Sequence, residues 1–178
     1  LVSVPMYHFT EFVIAVIYRP HDATPGAFMI WHSREYVTAM TVAWIELALR
    51  WWWFGYLPRF GYFGGPMSAL GVVLFAMMAA MCYGIRAQAM RECGENFALQ
   101  IEYSKRPEHQ LVQRGLYKLV RHPAYMGWFL YVPMTQLIAG NVVCCAAFTA
   151  VTWRFFRARI EDEESVLARD SFFGPAYD

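Results

Sequence analysis

The sequence predicts an all-α fold, a multi-spanning integral membrane bundle of helices whose C-terminal half forms a cytosolic pocket. Three observations carry that reading. Hydrophobic residues make up 58% of the 178-residue chain and charged residues only 16%, against about 45–50% and about 25% in an ordinary soluble domain. Long apolar stretches alternate with short polar segments, which is the pattern of spans and loops. Basic residues gather in two places, 84–124 and beyond 153, and the positive-inside rule puts both on the cytoplasmic side. The same composition excludes disorder, collagen, coiled coil and a disulfide-stapled module. A net charge of +1 gives no basis for a nucleic-acid partner.

Taken in order, the first apolar stretch, 9–18, is short for a span, which needs about 20 residues, and lying flat on the surface is its alternative. The second, 36–49, lies between Arg34 and Arg50. The run WWWFGYLPRFGYF at 51–63 reads as an interfacial aromatic belt in a wet turn. The third stretch, 66–83, is almost uncharged, and a helix is expected from 66 to about 97. A loop to about 109 and a short helix or turn should lead into His122-Pro123, where Pro suits the first turn of a new helix. The fourth stretch, 124–156, contains one charge, Arg154. Since both basic clusters lie on one side, this stretch must leave and return. Gly140-Asn141 is the natural turn, giving halves of about 15 residues, or roughly 22 Å each. A shallow hairpin is expected, and one long tilted span is the alternative.

Cys82, Cys93, Cys144 and Cys145 form no C-x-x-C pair, so small apolar filler is expected, with no metal and no disulfide. Glu46 lies inside an apolar helix, where a carboxylate is costly, and a basic partner on a neighbouring helix is expected. Met77, Met78 and Met81 suit either flexible packing or a lipid groove.

Two runs can carry chemistry. HQLVQRGLYKLVRHPAYMGW, 109–128, sets two histidines, two tyrosines and two arginines ahead of a membrane helix. A helix N-terminus there favours a carboxylate, although the same residues would also make an anchoring belt. In WRFFRARIEDEESVL, 153–167, Arg159 and Glu163 share one helix face. Arg157, Glu161 and Glu164 fall on other faces. An arginine beside apolar sequence suits two-pronged binding of a carboxylate. A solvated, salt-bridged helix end fits the same spacing.

These residues resemble the isoprenylcysteine carboxyl methyltransferase family. YHFTEF at 7–12, HSREY at 32–36 and AWIEL at 43–47 are similar to its upstream half. HQLVQRGLYKLVRHPAYMGWF at 109–129 resembles its central segment, and WRFFRARIEDEE at 153–164 with FFG at 172–174 its C-terminal one. The resemblance covers essentially the whole chain. It implies a single membrane methyltransferase domain over 1–178, with the cofactor part at about 98–178, in a fragment lacking N-terminal helices and the C-terminal tail. It implies S-adenosylmethionine as cofactor, bound by Gln100, His109, Gln110, Leu111, Val112, Tyr117, His122, Pro123, Ala124, Tyr125 and Glu163. Arg159 would hold the substrate carboxylate. The substrate implied is the prenylated C-terminal cysteine of CaaX proteins such as small GTPases. The location implied is the endoplasmic reticulum membrane, with the active site toward the cytosol. A phospholipid N-methyltransferase, a sterol reductase-like enzyme and a non-enzymatic membrane scaffold are the competing readings.

Overall fold

The computed structural model describes residues 3–20, 23–28, 34–54 and 69–177. Among them the regular structure is helical: α1 (Ser3–Tyr18), α2 (Arg34–Phe54), α3 (Ala69–Cys93), α4 (Pro123–Ala139) and α5 (Val142–Leu167), with short 3-10 turns at Pro25–Phe28, Gly94–Asn96, Gly115–Lys118 and Gly174–Ala176. Of the aromatic run expected to mark an interface, residues 55–63 lie outside the described residues, as do His32 and Ser33. Trp52 and Trp53, just before that gap, are exposed.

The hairpin turns where the sequence expects it. Gly140 ends α4 at φ 73°, a left-handed conformation that favours glycine, and a β-carbon there would press on the Arg50 guanidinium. Asn141 precedes α5 and donates from Nδ2 to the Ala43 carbonyl at 3.0 Å and to Gln136 Oε1 at 3.1 Å, tying α2 to the hairpin. The arms are not the equal halves expected. By length α4 is about 26 Å and α5 about 39 Å, because α5 runs unbroken from its apolar start into the charged RARIEDEE segment.

Glu46 corrects one expectation. Its carboxylate pairs with no basic side chain among the described residues. It accepts the backbone N–H groups of Val143, at 3.2 Å, and Cys144, at 2.8 Å. These are orphan donors in the first turn of α5, and the positive end of the helix dipole takes the place of the expected cation.

The centre of the molecule is the packing of α1, α3 and α4. Tyr7, Ala79, Cys82 and Tyr131 form the buried cluster, with the Tyr7 and Tyr131 rings stacked at 5.4 Å. Beside it, Arg86 donates bidentately to Glu11, at 2.7 Å to each oxygen, and to the Ala124 carbonyl at 3.2 Å. A paired charge is the tolerable form of a charge at membrane depth, and this one also fixes the first turn of α4. The cysteines are free, with Cys82 and Cys144 buried as apolar filler.

Close approach of α3 and α4 depends on Gly127. A β-carbon there would lie 2.8 Å from both the Arg86 nitrogen and the Cys82 carbonyl oxygen. Both are backbone atoms of α3, so relief requires the helices to separate. Gly127→Ala is expected to cost about 1–3 kcal/mol by overpacking, read as a lowered unfolding temperature in detergent. Gly84, on α3 with open space around it, is the control, and Gly84→Ala should be neutral or gain up to about 1 kcal/mol.

The outer faces are apolar. Leu70, Val73, Leu74, Met77, Met78 and Met81 of α3 are exposed, as are Trp44, Ile45 and Leu49 of α2 and Val143, Val151, Trp153 and Phe155 of α5. The methionines therefore face outward rather than filling the core. Soluble monomers do not expose apolar surface on this scale. Among the described residues one helix, Leu70–Asn96, is long and apolar enough to cross a membrane by length and composition. α1 and α4 are shorter than a full span, and Arg154, Arg157 and Arg159 end the apolar run of α5.

Candidate active site

The polar ends of these helices enclose a cavity of about 290 Å³. Its walls come from the end of α3, the extended segment from Phe97 to Gln113, the entry to α4, one turn of α5 and the C-terminal aromatic residues. Gln100, His109, Gln110, Leu111, Val112, Tyr117, His122, Ala124, Tyr125 and Glu163, separated by up to 63 positions in the chain, all border it. Pro123 does not: it is fully buried as the first residue of α4, where its fixed φ starts the helix and no N–H is lost.

At the mouth of α4 the His122 ring stacks on Tyr125 at 5.4 Å, nearly parallel. His122 Nε2 is 3.1 Å from Glu164 Oε1, and Nδ1 is 3.7 Å from Glu163 Oε2. Two consecutive carboxylates of α5 thus face one imidazole. Glu164 is a residue that the sequence leaves on another face. Arg121 lies 3.8 Å from the same Glu164 oxygen and over the Tyr177 ring.

On the opposite wall His109 sits edge-on to Phe172 and Phe173, at 5.1 and 5.6 Å. Burial holds its pKa below the ordinary histidine value, and Glu102, 3.5 Å from Nδ1, only partly offsets this. The ring is therefore neutral at pH 7. Because folding depresses this pKa, the unfolded chain binds the proton more readily. The contribution to stability is complete above about pH 6.5 and is lost as the pH falls below it. His109→Gln is expected to flatten the acid limb of the unfolding temperature between about pH 6.5 and 5, measured by a thermal scan in buffered detergent. An unchanged acid limb would refute this.

Three buried polar atoms on the cavity's residues have no hydrogen-bond partner: His109 Nδ1, Glu163 Oε2 and the Tyr177 hydroxyl. Each such atom costs about 1–3 kcal/mol, and a bound polar ligand relieves that cost. Tyr177 is pushed up to about 12, chiefly by desolvation, so its hydroxyl keeps a proton to donate. Burial also raises Tyr117 above the ordinary tyrosine value. Tyr177, Phe172, Cys93 and Glu102 are wall residues that sequence reasoning misses. The aromatic pair before Gly174, in an otherwise polar tail, was the available signal.

Arg159 does not border this cavity. It lines a groove of about 600 Å³ on the other side of Gln100 and Ile101. Its Nε donates to the Tyr125 hydroxyl at 2.8 Å and its Nη2 to the Leu99 carbonyl at 2.9 Å, while its guanidinium carbon is 5.4 Å from the Tyr125 ring centre. One edge of the fork is thereby anchored, and Nη1 has no partner among the described residues. Tyr125 stands between the two compartments.

The model of the Isoprenylcysteine carboxyl methyltransferase (ICMT) family matches residues 70–169, more than half of the chain, including all of α4 and α5 and all but the first residue of α3. The chain belongs to the isoprenylcysteine carboxyl methyltransferase family. It is 31% identical over 173 residues to the protein-S-isoprenylcysteine O-methyltransferase of Dictyostelium discoideum, covering 96% of this chain and 68% of that one. It is 33% identical to that of Tribolium castaneum and 31% to that of Homo sapiens, in both cases spanning 58% of the relative's length. Among solved structures, that of the eukaryotic intramembrane Ras methyltransferase ICMT superposes with a TM-score of 0.83 at 30% identity, over 97% of this chain and 58% of that one. The all-helical arrangement and the apolar outer faces are thus those of this family of integral membrane enzymes.

Proposed function

We propose that this methyltransferase-family chain esterifies the C-terminal carboxylate of a prenylated cysteine, with S-adenosylmethionine as methyl donor. The observation that carries this is the half-anchored Arg159 fork, one wall away from a cavity with three unsatisfied polar atoms. The cavity's residues fit the donor. Glu163 would accept from its ammonium or ribose hydroxyls, Tyr177 and His109 would complete its polar contacts, and the rings of Phe172 and Phe173, set at 72° to each other, would give an apolar wall. Bound there, the donor supplies a methyl group on a sulfonium. Gln100, Gln110, Leu111, Val112, Tyr117, His122, Ala124 and Tyr125 shape the cavity around it, with Pro123 fixing the turn.

The chain's own task is binding and alignment. An α-carboxyl has a pKa near about 3.5 and is already the anion at neutral pH, so no general base is required. Arg159 holds that anion without losing its own proton. With Nε and Nη2 committed to Tyr125 and Leu99, the carboxylate meets the free Nη1 end, in a fixed orientation. Fixed proximity of two groups contributes several kcal/mol of rate. Charge is neutralised as the ester forms, so displacing water from the cavity would favour the transition state. A guanidinium at the acceptor side suits an anion and disfavours an amine, which argues against phospholipid N-methylation.

The prenyl chain enters sideways past the apolar part of the groove, Val151 and Phe155. The basic segment 84–124 faces the cytosol, in a multi-spanning bundle of the endoplasmic reticulum membrane. The proteins served are CaaX-processed ones such as small GTPases. The reading is tested by incubating the purified chain with labelled S-adenosylmethionine and N-acetyl-farnesylcysteine and counting base-labile methyl ester. Label in the ester supports it. Bound cofactor without ester overturns the acceptor, and no cofactor binding overturns the whole reading.

A further inference from the structure

The segment 99–103 is the partition between the two compartments: Gln100 and Ile101 border both the cavity and the Arg159 groove. Its position therefore decides how a methyl donor on one side meets a carboxylate on the other. The partition is tied to α5 twice. Leu99 gives its carbonyl to Arg159 at 2.9 Å, and the Tyr103 hydroxyl donates to Asp162 Oδ2 at 2.7 Å. Arg159 and Asp162 are three apart on α5 and so share a face. On its other side the segment is held by Glu102, whose carboxylate takes Arg19 at 2.8 Å and Arg106 at 3.2 Å.

The two ties to α5 are not equivalent. Arg159 has a second duty to the incoming carboxylate, so the Leu99 tie is shared with substrate, while the Tyr103–Asp162 tie is not. Tyr103 is 62% exposed, and an exposed hydrogen bond of this kind contributes little to global stability. Its effect is local: it fixes where Gln100 and Ile101 stand.

We propose that Tyr103 and Asp162 form a positioning clasp for methyl transfer, holding the partition between the donor cavity and the Arg159 groove in register. This rests on the methyltransferase reading above. The experiment compares Tyr103→Phe, Asp162→Ala and Asp162→Asn with the wild type. Asn keeps an acceptor oxygen for the tyrosine and loses the charge. Tyr103→Phe and Asp162→Ala are expected to raise both the Kd for S-adenosylmethionine, by titration calorimetry, and the KM for N-acetyl-farnesylcysteine about five-fold. Asp162→Asn should restore most of each. The double variant Tyr103→Phe/Asp162→Ala should be no worse than either single one, and the unfolding temperature should stay within about 2 °C. Unchanged Kd and KM, additive losses, or an Asp162→Asn as impaired as Asp162→Ala would overturn the clasp. If the wild type forms no ester, the methyltransferase reading fails separately, and the cofactor Kd series alone decides the clasp.

Discussion

Arg159→Ala is expected to lower kcat/KM for prenylcysteine methylation about a hundred- to a thousand-fold while the Kd for S-adenosylmethionine rises no more than about five-fold, through the lost Leu99 tie. The expectation follows from position: Arg159 lines the groove and is absent from the cavity wall. Its loss removes the anion's partner from the groove, and on the cavity side it frees only the Tyr125 hydroxyl and the Leu99 carbonyl. Arg159→Lys is expected to recover little, since a single ammonium cannot hold the Tyr125 hydroxyl, the Leu99 carbonyl and a carboxylate in one plane. Steady-state ester formation alongside calorimetric cofactor binding checks both. Parallel loss of turnover and cofactor affinity would show that the arginine serves the cofactor instead.

Glu163→Gln should do the reverse. Glu163 Oε2 is buried without a hydrogen-bond partner and borders the cavity, and its contact with His122 Nδ1 is loose at 3.7 Å, so a donor-rich ligand finds an open carboxylate oxygen there. Cofactor affinity should fall about ten- to a hundred-fold, the usual worth of a hydrogen bond to a charged group. Without ligand the variant should unfold no lower than the wild type, and higher if the buried charge is a net cost. A lowered unfolding temperature with unchanged cofactor Kd would make Glu163 a structural partner of His122. The Tyr103, His109 and Gly127 variants report on geometry, protonation and packing, and their effects are smaller.

Several elements were legible because they depend on local chemistry. Pro123 starts α4, Gly140 ends it, and an apolar run of two arms around Gly140-Asn141 reads as a hairpin. Of the residues that the family resemblance implies for the site, those of the cofactor border one cavity, Pro123 excepted, and Arg159 lies in the neighbouring groove. The partner of Glu46 was not legible, because a helix N-terminus supplies positive charge through backbone groups and leaves no residue type in the sequence. Nor was the role of Glu164. Helical spacing places it off the Arg159 face, but His122 arrives from α4 at an angle that spacing does not contain.

What the sequence determined by itself is the class of object: helices with apolar outsides, a hairpin with a fixed turn, and a polar C-terminal half rich in groups that bind anions and cations. Those properties follow from composition, period and the backbone limits of Pro and Gly, which are local. Tertiary structure alone decided that Arg159 and Glu163, four apart on one face of α5, line different compartments. The reason is that Tyr125 and the 99–103 segment separate the two spaces, the segment being held by Arg159, Asp162 and Arg19 from distant parts of the chain. A partition made of contacts across up to 83 positions has no local signature, and it is what separates the cavity from the groove.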